Sequence, residues 1–201
     1  MGRIIVCRHG NTFDKGETVT RVGGRTDLPL SVSGRAQADA LAQHFAGVRF
    51  AGAYCSALQR TRETAEAILG TDPDAPALTV LPFLTEVDYG PDENQPEKAV
   101  EARLGKPALE AWDDGNVVPD GWQVDVAGIR EGWAALLRTA AEMPEDARLL
   151  VVTSNGVARF LPELIDETPD GIDRKLKTGA WGEVDCGRGH SRIVDWNRRP
   201  D

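Results

Sequence analysis

Arg3-Ile4-Ile5-Val6-Cys7-Arg8-His9-Gly10-Asn11-Thr12 is an apolar run that stops at an arginine–histidine pair and a glycine. The run Ile4 to Cys7 is short, apolar and free of charge, which predicts a buried strand over residues 3–7. A glycine-, threonine- and arginine-rich loop follows over residues 8–30. The same pattern returns along the chain. Phe50 to Cys55, Leu78 to Leu81 and Leu149 to Thr153 read as further strands, the last continuously apolar and so central and parallel. Helices fall between them. Ser31 or Ser33 caps one that runs to about residue 46, with the stripe Ala38, Leu41, Ala42, Phe45, and Gly47 ends it. Ser56 caps a second, carrying Leu58, Ala65, Ile68 and Leu69 and stopped by Gly70. Residues 71–77 are an Asp/Pro-rich loop. Val126, Ile129, Trp133, Leu136, Leu137 and Ala140 mark a longer amphipathic helix. Another helix starts after Gly156, with Pro162 set to kink or restart it. Gly179 to Asp185 and Ser191 to Trp196 read as two strands joined by a turn over residues 186–190.

Strands alternating with helices predict an α/β fold: a three-layer α/β/α sandwich around a mostly parallel sheet. The 201 residues suit one domain, 1–201. Within it, the stretch from Glu86 to Asp120 changes character, with four prolines and many charges. It predicts short helices over the sheet edge, a substrate-side insertion at about 87–120 that holds Trp112 and borders Trp122.

Composition narrows the functions. Hydrophobic residues make up 41% and charged residues 27%, an ordinary globular balance. A net charge of −9 argues against non-specific nucleic-acid binding, but a local arginine cluster could still hold an anion. Cys7, Cys55 and Cys186 are odd in number and lack metal or disulfide spacing. They suit a reducing, cytoplasmic setting, with Cys7 and Cys55 as small buried hydrophobes. No signal peptide, membrane span or myristoylation pattern is read. No membrane or nucleic-acid partner is expected, and composition does not choose between monomer and homodimer.

In open α/β sheets, ligands bind beyond the carboxyl ends of the strands. Arg8-His9, Ser56 to Arg60 and Ser154-Asn155 each follow a strand, so the topology predicts that they meet. An arginine beside a histidine suits phosphoryl transfer: imidazole attacks phosphorus and guanidinium grips the oxygens. Alone, the tripeptide Arg8-His9-Gly10 carries little weight. In order after it come Asp27-Leu28-Pro29-Leu30-Ser31 with Gly34 and Gln37-Ala38, then Ser56-Ala57-Leu58-Gln59-Arg60-Thr61 with Thr64-Ala65. Taken together, these resemble the histidine phosphatase superfamily, the phosphoglycerate mutase-like enzymes, over most of the chain.

The resemblance implies His9 as nucleophile, Arg8 and Arg60 as phosphate clamps, and Thr12 as a further phosphate contact. Glu86, in Leu84-Thr85-Glu86-Val87-Asp88, takes the place of the family's general acid/base, with Asp88 as its competitor. Arg21 and Arg25 either reach the substrate's anionic end or are solvated. Arg62 faces away. The implied substrate is a small phosphorylated metabolite, with no metal or organic cofactor.

One piece departs from the pattern. Relatives carry a histidine after the fourth strand, where this chain reads Val152-Thr153-Ser154-Asn155-Gly156. Serine offers a hydrogen bond without the charge. Three explanations compete: Ser154 and Asn155 keep a polar phosphate cradle, aided by the following helix N-terminus; His190 or His44 supplies the missing cation; or the chain binds phosphorylated ligands without turnover. The first is preferred, because nucleophile, arginines and carboxylate all persist. The expected activity is that of a phosphomonoesterase, with a mutase-type phosphotransferase or a phosphate-ligand binding protein as alternatives.

Overall fold

The computed structural model describes residues 2–70 and 72–200, so Thr71 of the 71–77 loop lies outside it. Six strands, β1 (Gly2–Arg8), β2 (Gly52–Cys55), β3 (Leu78–Val80), β4 (Arg148–Thr153), β5 (Trp181–Gly187) and β6 (His190–Arg198), form one sheet in the order β3-β2-β4-β1-β5-β6. The first four are mutually parallel, and β5 and β6 add an antiparallel hairpin at one edge. The sheet is therefore mixed.

Alternation along the central strands sends side chains to two apolar clusters. Ile5, Cys7, Leu150 and Val152 pack with Leu41 of α1 (Val32–His44) and with Ala65 and Ile68 of α2 (Gln59–Leu69). Ile4, Val6, Leu149 and Val151 pack with Trp133 of α5 (Val126–Glu142). Helices thus cover both faces, which explains why these strands read as unbroken apolar runs. Cys7, Cys55 and Cys186 are buried free thiols.

The insertion forms a 3-10 turn (Gly90–Asp92), α3 (Glu97–Leu104) and α4 (Lys106–Gly115). Its aromatics are core rather than a loose flap. Trp112 and Trp122 are 3% and 6% exposed and stack edge-on, with ring centroids 5.4 Å apart. Among the described residues no helix is long and apolar enough to cross a membrane.

Three local expectations are corrected. Ser56 does not cap α2, which begins at Gln59 with Leu58 at the cap; instead Asp27 Oδ1, from the long loop, accepts the Gln59 N–H at 2.7 Å. The second strand starts at Gly52, because Phe50 and Ala51 lie before the ladder. The helix at Gly156 is a single turn, α6 (Asn155–Ala158), followed by a 3-10 turn at Leu161–Leu164 carrying Pro162. Proline's missing N–H and fixed φ suit that restart.

Candidate active site

The register of β1 against β4 pairs Arg8 with Thr153, and the His9 N–H donates to the Thr153 carbonyl at 3.2 Å. His9 and Ser154 therefore leave adjacent strands side by side. Gly10 lets this loop pass under α1, since a Cβ there would stand 2.2 Å from the Gly34 carbonyl oxygen. The glycine at 34 is needed for the same reason, with a Cβ 2.0 Å from the Asn11 carbonyl oxygen. Two motif glycines thus serve one close crossing. Ser31 accepts the Gly34 N–H, and Asp14 accepts those of Val32 and Ser33, so the α1 cap also anchors the loop after His9.

His9 is 6% exposed. Its Nδ1 lies 2.7 Å from the Gly10 carbonyl oxygen, and Arg60 Nε lies 3.3 Å from its Nε2. A carbonyl only accepts and a guanidinium only donates, so these partners assign the proton to Nδ1 and a lone pair to Nε2. Burial, then Arg60 and Arg8, hold the imidazole pKa well below its ordinary value. His9 is thus a neutral ring that lines the cavity, with its Nε2 lone pair accepting from Arg60.

Arg60 is fully buried in the first turn of α2. Its Nη1 donates to the Thr26 carbonyl at 2.9 Å and its Nη2 to the Gly23 carbonyl at 3.2 Å. Arg8 Nη1 donates to the Leu176 carbonyl at 2.8 Å, while its buried Nε has no partner. Glu86 is 7% exposed, with its oxygens 3.0 Å from the Val87 amide and 3.4 Å from the Gly156 amide. Burial raises its pKa, against the opposing pull of Arg60 and Arg8. A Cβ at Gly156 would stand 2.2 Å from Glu86 Oε1, so that glycine makes room for the carboxylate.

Arg8, His9, Thr12, Arg21, Glu86 and Asn155 all line one cavity of about 700 Å³. Ser154, next to Asn155, is not among the lining residues: it is 0% exposed, with a buried hydroxyl that has no partner. Asn155 Oδ1 accepts the Leu176 N–H at 2.9 Å, which leaves the amide nitrogen as the part able to donate to an anion. The Gly156 amide is aimed at Glu86 rather than left for a ligand.

Arg21 borders the cavity but is paired with Glu97 at 2.5 Å and packed over the Tyr89 and Trp122 rings. Arg25 is not brought there. Its Nε donates to Asp88 and its Nη2 to the Gly90 carbonyl, both at 2.8 Å, so it staples the loop to the insertion instead. Asp88 is engaged by the same contact and by the Gly90 N–H, and it does not face His9. His190 pairs with Glu167 at an exposed hairpin turn, and His44 packs on Phe45 and Trp181. Neither replaces a cation at Ser154.

One cation escaped the sequence reading. Arg159, 0% exposed, lines the cavity, with Nη2 on the Trp112 and Asp113 carbonyls at 2.7 Å each and its guanidinium 4.4 Å from the Trp112 ring. Like Arg60, it comes soon after a strand, here as the C-cap of the short helix α6, and that placement was the available signal. Arg8 and Arg159 line the cavity and Arg60 reaches His9 from its side, with Glu86 the buried carboxylate among the lining residues. Such a cluster of arginines suits an incoming anion.

The sequence matches the model of the histidine phosphatase superfamily, branch 1, over residues 4–199, and the chain belongs to that family. A probable phosphoglycerate mutase, GpmB, of Yersinia pestis (strain Pestoides F) is 30% identical over 186 residues, covering 88% of this chain and 80% of its own. Two solved structures share the fold. A mycobacterial glucosyl-3-phosphoglycerate phosphatase superposes with a TM-score of 0.79 at 23% identity, covering 98% of both chains. The α-ribazole phosphatase of Shigella flexneri superposes at 0.72 and 23% identity, covering 98% of this chain and 96% of its own.

Proposed function

We propose that this chain hydrolyses a small phosphomonoester through a phosphohistidine at His9. The carrying observation is the ring of His9: Nδ1–H is held by the Gly10 carbonyl, and Nε2 is left with its lone pair between Arg60 and the cavity. In the first step Nε2 attacks phosphorus, the P–O ester bond breaks, and the carboxylic proton of Glu86 passes to the departing alkoxide. In the second, the Glu86 carboxylate takes a proton from water, the hydroxide attacks phosphorus, and the P–N bond breaks to release phosphate. Both groups return to their starting states. Arg8 and Arg60 stabilise the equatorial oxygens, with Thr12, Ser154 and the Asn155 amide nitrogen as neutral donors. The chemistry runs on these side chains alone.

Hydrolysis is favoured over mutase transfer by the cavity rim, which includes Val19, 53% exposed. A mutase has to shield its intermediate from water. Fold neighbours named as phosphatases support the same reading. Three buried free thiols support a reducing, cytoplasmic setting. Release of phosphate from p-nitrophenyl phosphate tests the proposal directly, and none above buffer would remove it.

The proton role of Glu86 has its own test. Its burial-raised pKa keeps the acid form present at higher pH than an ordinary carboxyl, and activity on alkyl phosphates should fall as pH rises through that value. Glu86→Gln should slow alkyl phosphate hydrolysis about 10²–10⁴-fold while affecting the first step on p-nitrophenyl phosphate far less, since nitrophenolate leaves without a proton. Equal losses in the first, phosphorylation step on both substrates would assign the leaving-group proton elsewhere.

Ser154 gives a sharper result, because its hydroxyl has no partner to lose. Ser154→Ala should leave thermal stability unchanged or raise it by about 1 kcal/mol, while kcat falls on the order of 10². An unchanged kcat would take the hydroxyl out of the phosphate cradle.

A further inference from the structure

Glu93 follows the Gly90–Asp92 turn of the insertion and touches none of the reacting groups, yet its carboxylate is fully engaged. Oε1 accepts the Gly23 N–H at 3.1 Å, the Arg25 N–H at 3.0 Å and the Thr26 hydroxyl at 2.7 Å; Oε2 accepts the Tyr89 N–H at 3.1 Å. Gly23 and Thr26 turn their carbonyls the other way, to Arg60 Nη2 and Nη1. Glu93 and Arg60 therefore grip opposite edges of the same short loop. The fit is close: a Cβ at Gly23 would stand 2.2 Å from Glu93 Oε2. Asp27 fixes the loop's far end to α2 through the Gln59 N–H.

Four donors converge on two oxygens, which only an acceptor-only group satisfies. A glutamine would present N–H₂ to one set of them. Arg60 depends on the outcome, because its two Nη groups are held by this loop while Nε reaches His9 at 3.3 Å. We propose that Glu93 is a positioning residue for the phosphate clamp: it fixes the 23–26 loop whose carbonyls aim Arg60 at the phosphoryl site, and so ties the insertion to that site. The inference rests on the reading of Arg60 as a phosphate ligand.

The test compares wild type with Glu93→Gln, Thr26→Val, Arg60→Met and the Glu93→Gln/Arg60→Met double variant. It measures kcat and KM on p-nitrophenyl phosphate, inhibition by inorganic phosphate, and the His9 ring titration by NMR. Glu93→Gln should lose on the order of 10²-fold in kcat/KM, the effect of an ångström-scale misplacement, and bind phosphate more weakly. Thr26→Val, which removes one of the four bonds, should lose less in the same direction. The His9 titration should move upward as the Arg60 cation recedes, which a purely structural role would not cause. The double variant should be no slower than Arg60→Met alone, because both act through one group. Wild-type kcat/KM and phosphate inhibition in Glu93→Gln, or in Thr26→Val if the former does not fold, would overturn the proposal, as would losses that multiply in the double variant. An Arg60→Met variant with wild-type activity would overturn the phosphate-clamp reading as well, whereas a silent Glu93→Gln beside an impaired Arg60→Met overturns the coupling alone.

Discussion

His9→Ala is expected to lower kcat on p-nitrophenyl phosphate by about 10⁴ or more and to abolish acid-labile phosphorylation of the protein. No neighbour can take over. Ser154 holds a buried hydroxyl without a basic partner to activate it, and Glu86, held by the Val87 and Gly156 amides, serves proton transfer in the proposed mechanism rather than attack on phosphorus. Stability should change little, because the ring's Nδ1 bond runs to its own neighbour's carbonyl. The variant should still bind inorganic phosphate, since Arg8 and Arg60 remain. That separates an enzyme from a binding protein: equal phosphate release by wild type and variant would leave only binding. The pH profile adds a sign. His9 has to be neutral to attack, and burial beside two arginines places its pKa well below the ordinary imidazole value. Activity should therefore persist into acid further than an unperturbed histidine would allow, and the acid limb should move upward if either arginine is neutralised.

The second large effect is expected at Arg60. Arg60→Met keeps most of the side-chain volume but removes the charge and every donor. The rate should fall on the order of 10²–10³, with weaker inhibition by orthovanadate and inorganic phosphate. Folding should also suffer, by about 1–3 kcal/mol for each carbonyl left without a partner, here those of Gly23 and Thr26. Arg60→Lys should recover little of the rate, because a single ammonium cannot reach His9 and both carbonyls in one plane. If Arg60→Met inhibits normally with vanadate, the clamp lies elsewhere.

The order of strands and helices and the meeting of Arg8-His9 with Asn155 at one edge were legible because they follow from local pattern, whereas Glu86 was placed by its motif. Apolar runs followed by polar turns mark parallel strands whose carboxyl ends share an edge. What was not legible depends on partners distant in sequence. Asp27, not Ser56, caps α2 across 32 residues, which no local capping rule predicts. Arg25 resembled a substrate ligand until Asp88 and Gly90, more than 60 positions away, claimed its guanidinium. Arg159 carries no motif signal of its own, and its place at the cavity comes from the Trp112 and Asp113 carbonyls, more than 40 positions away. Glu93 had no signal at all: one acid among many in the insertion, it acquires meaning only from the four donors folded around it.

Arg60 Nε stands 3.3 Å from His9 Nε2. It puts a proton donor on the very electron pair that has to attack. Arg60 thus holds the pair, and an alkylating agent without acceptor oxygens should modify His9 slowly. Under the proposed chemistry a phosphoryl group, rich in acceptors, would compete for that donor and release the ring's electron pair as it binds. Reactivity at His9 would then be a property the substrate switches on.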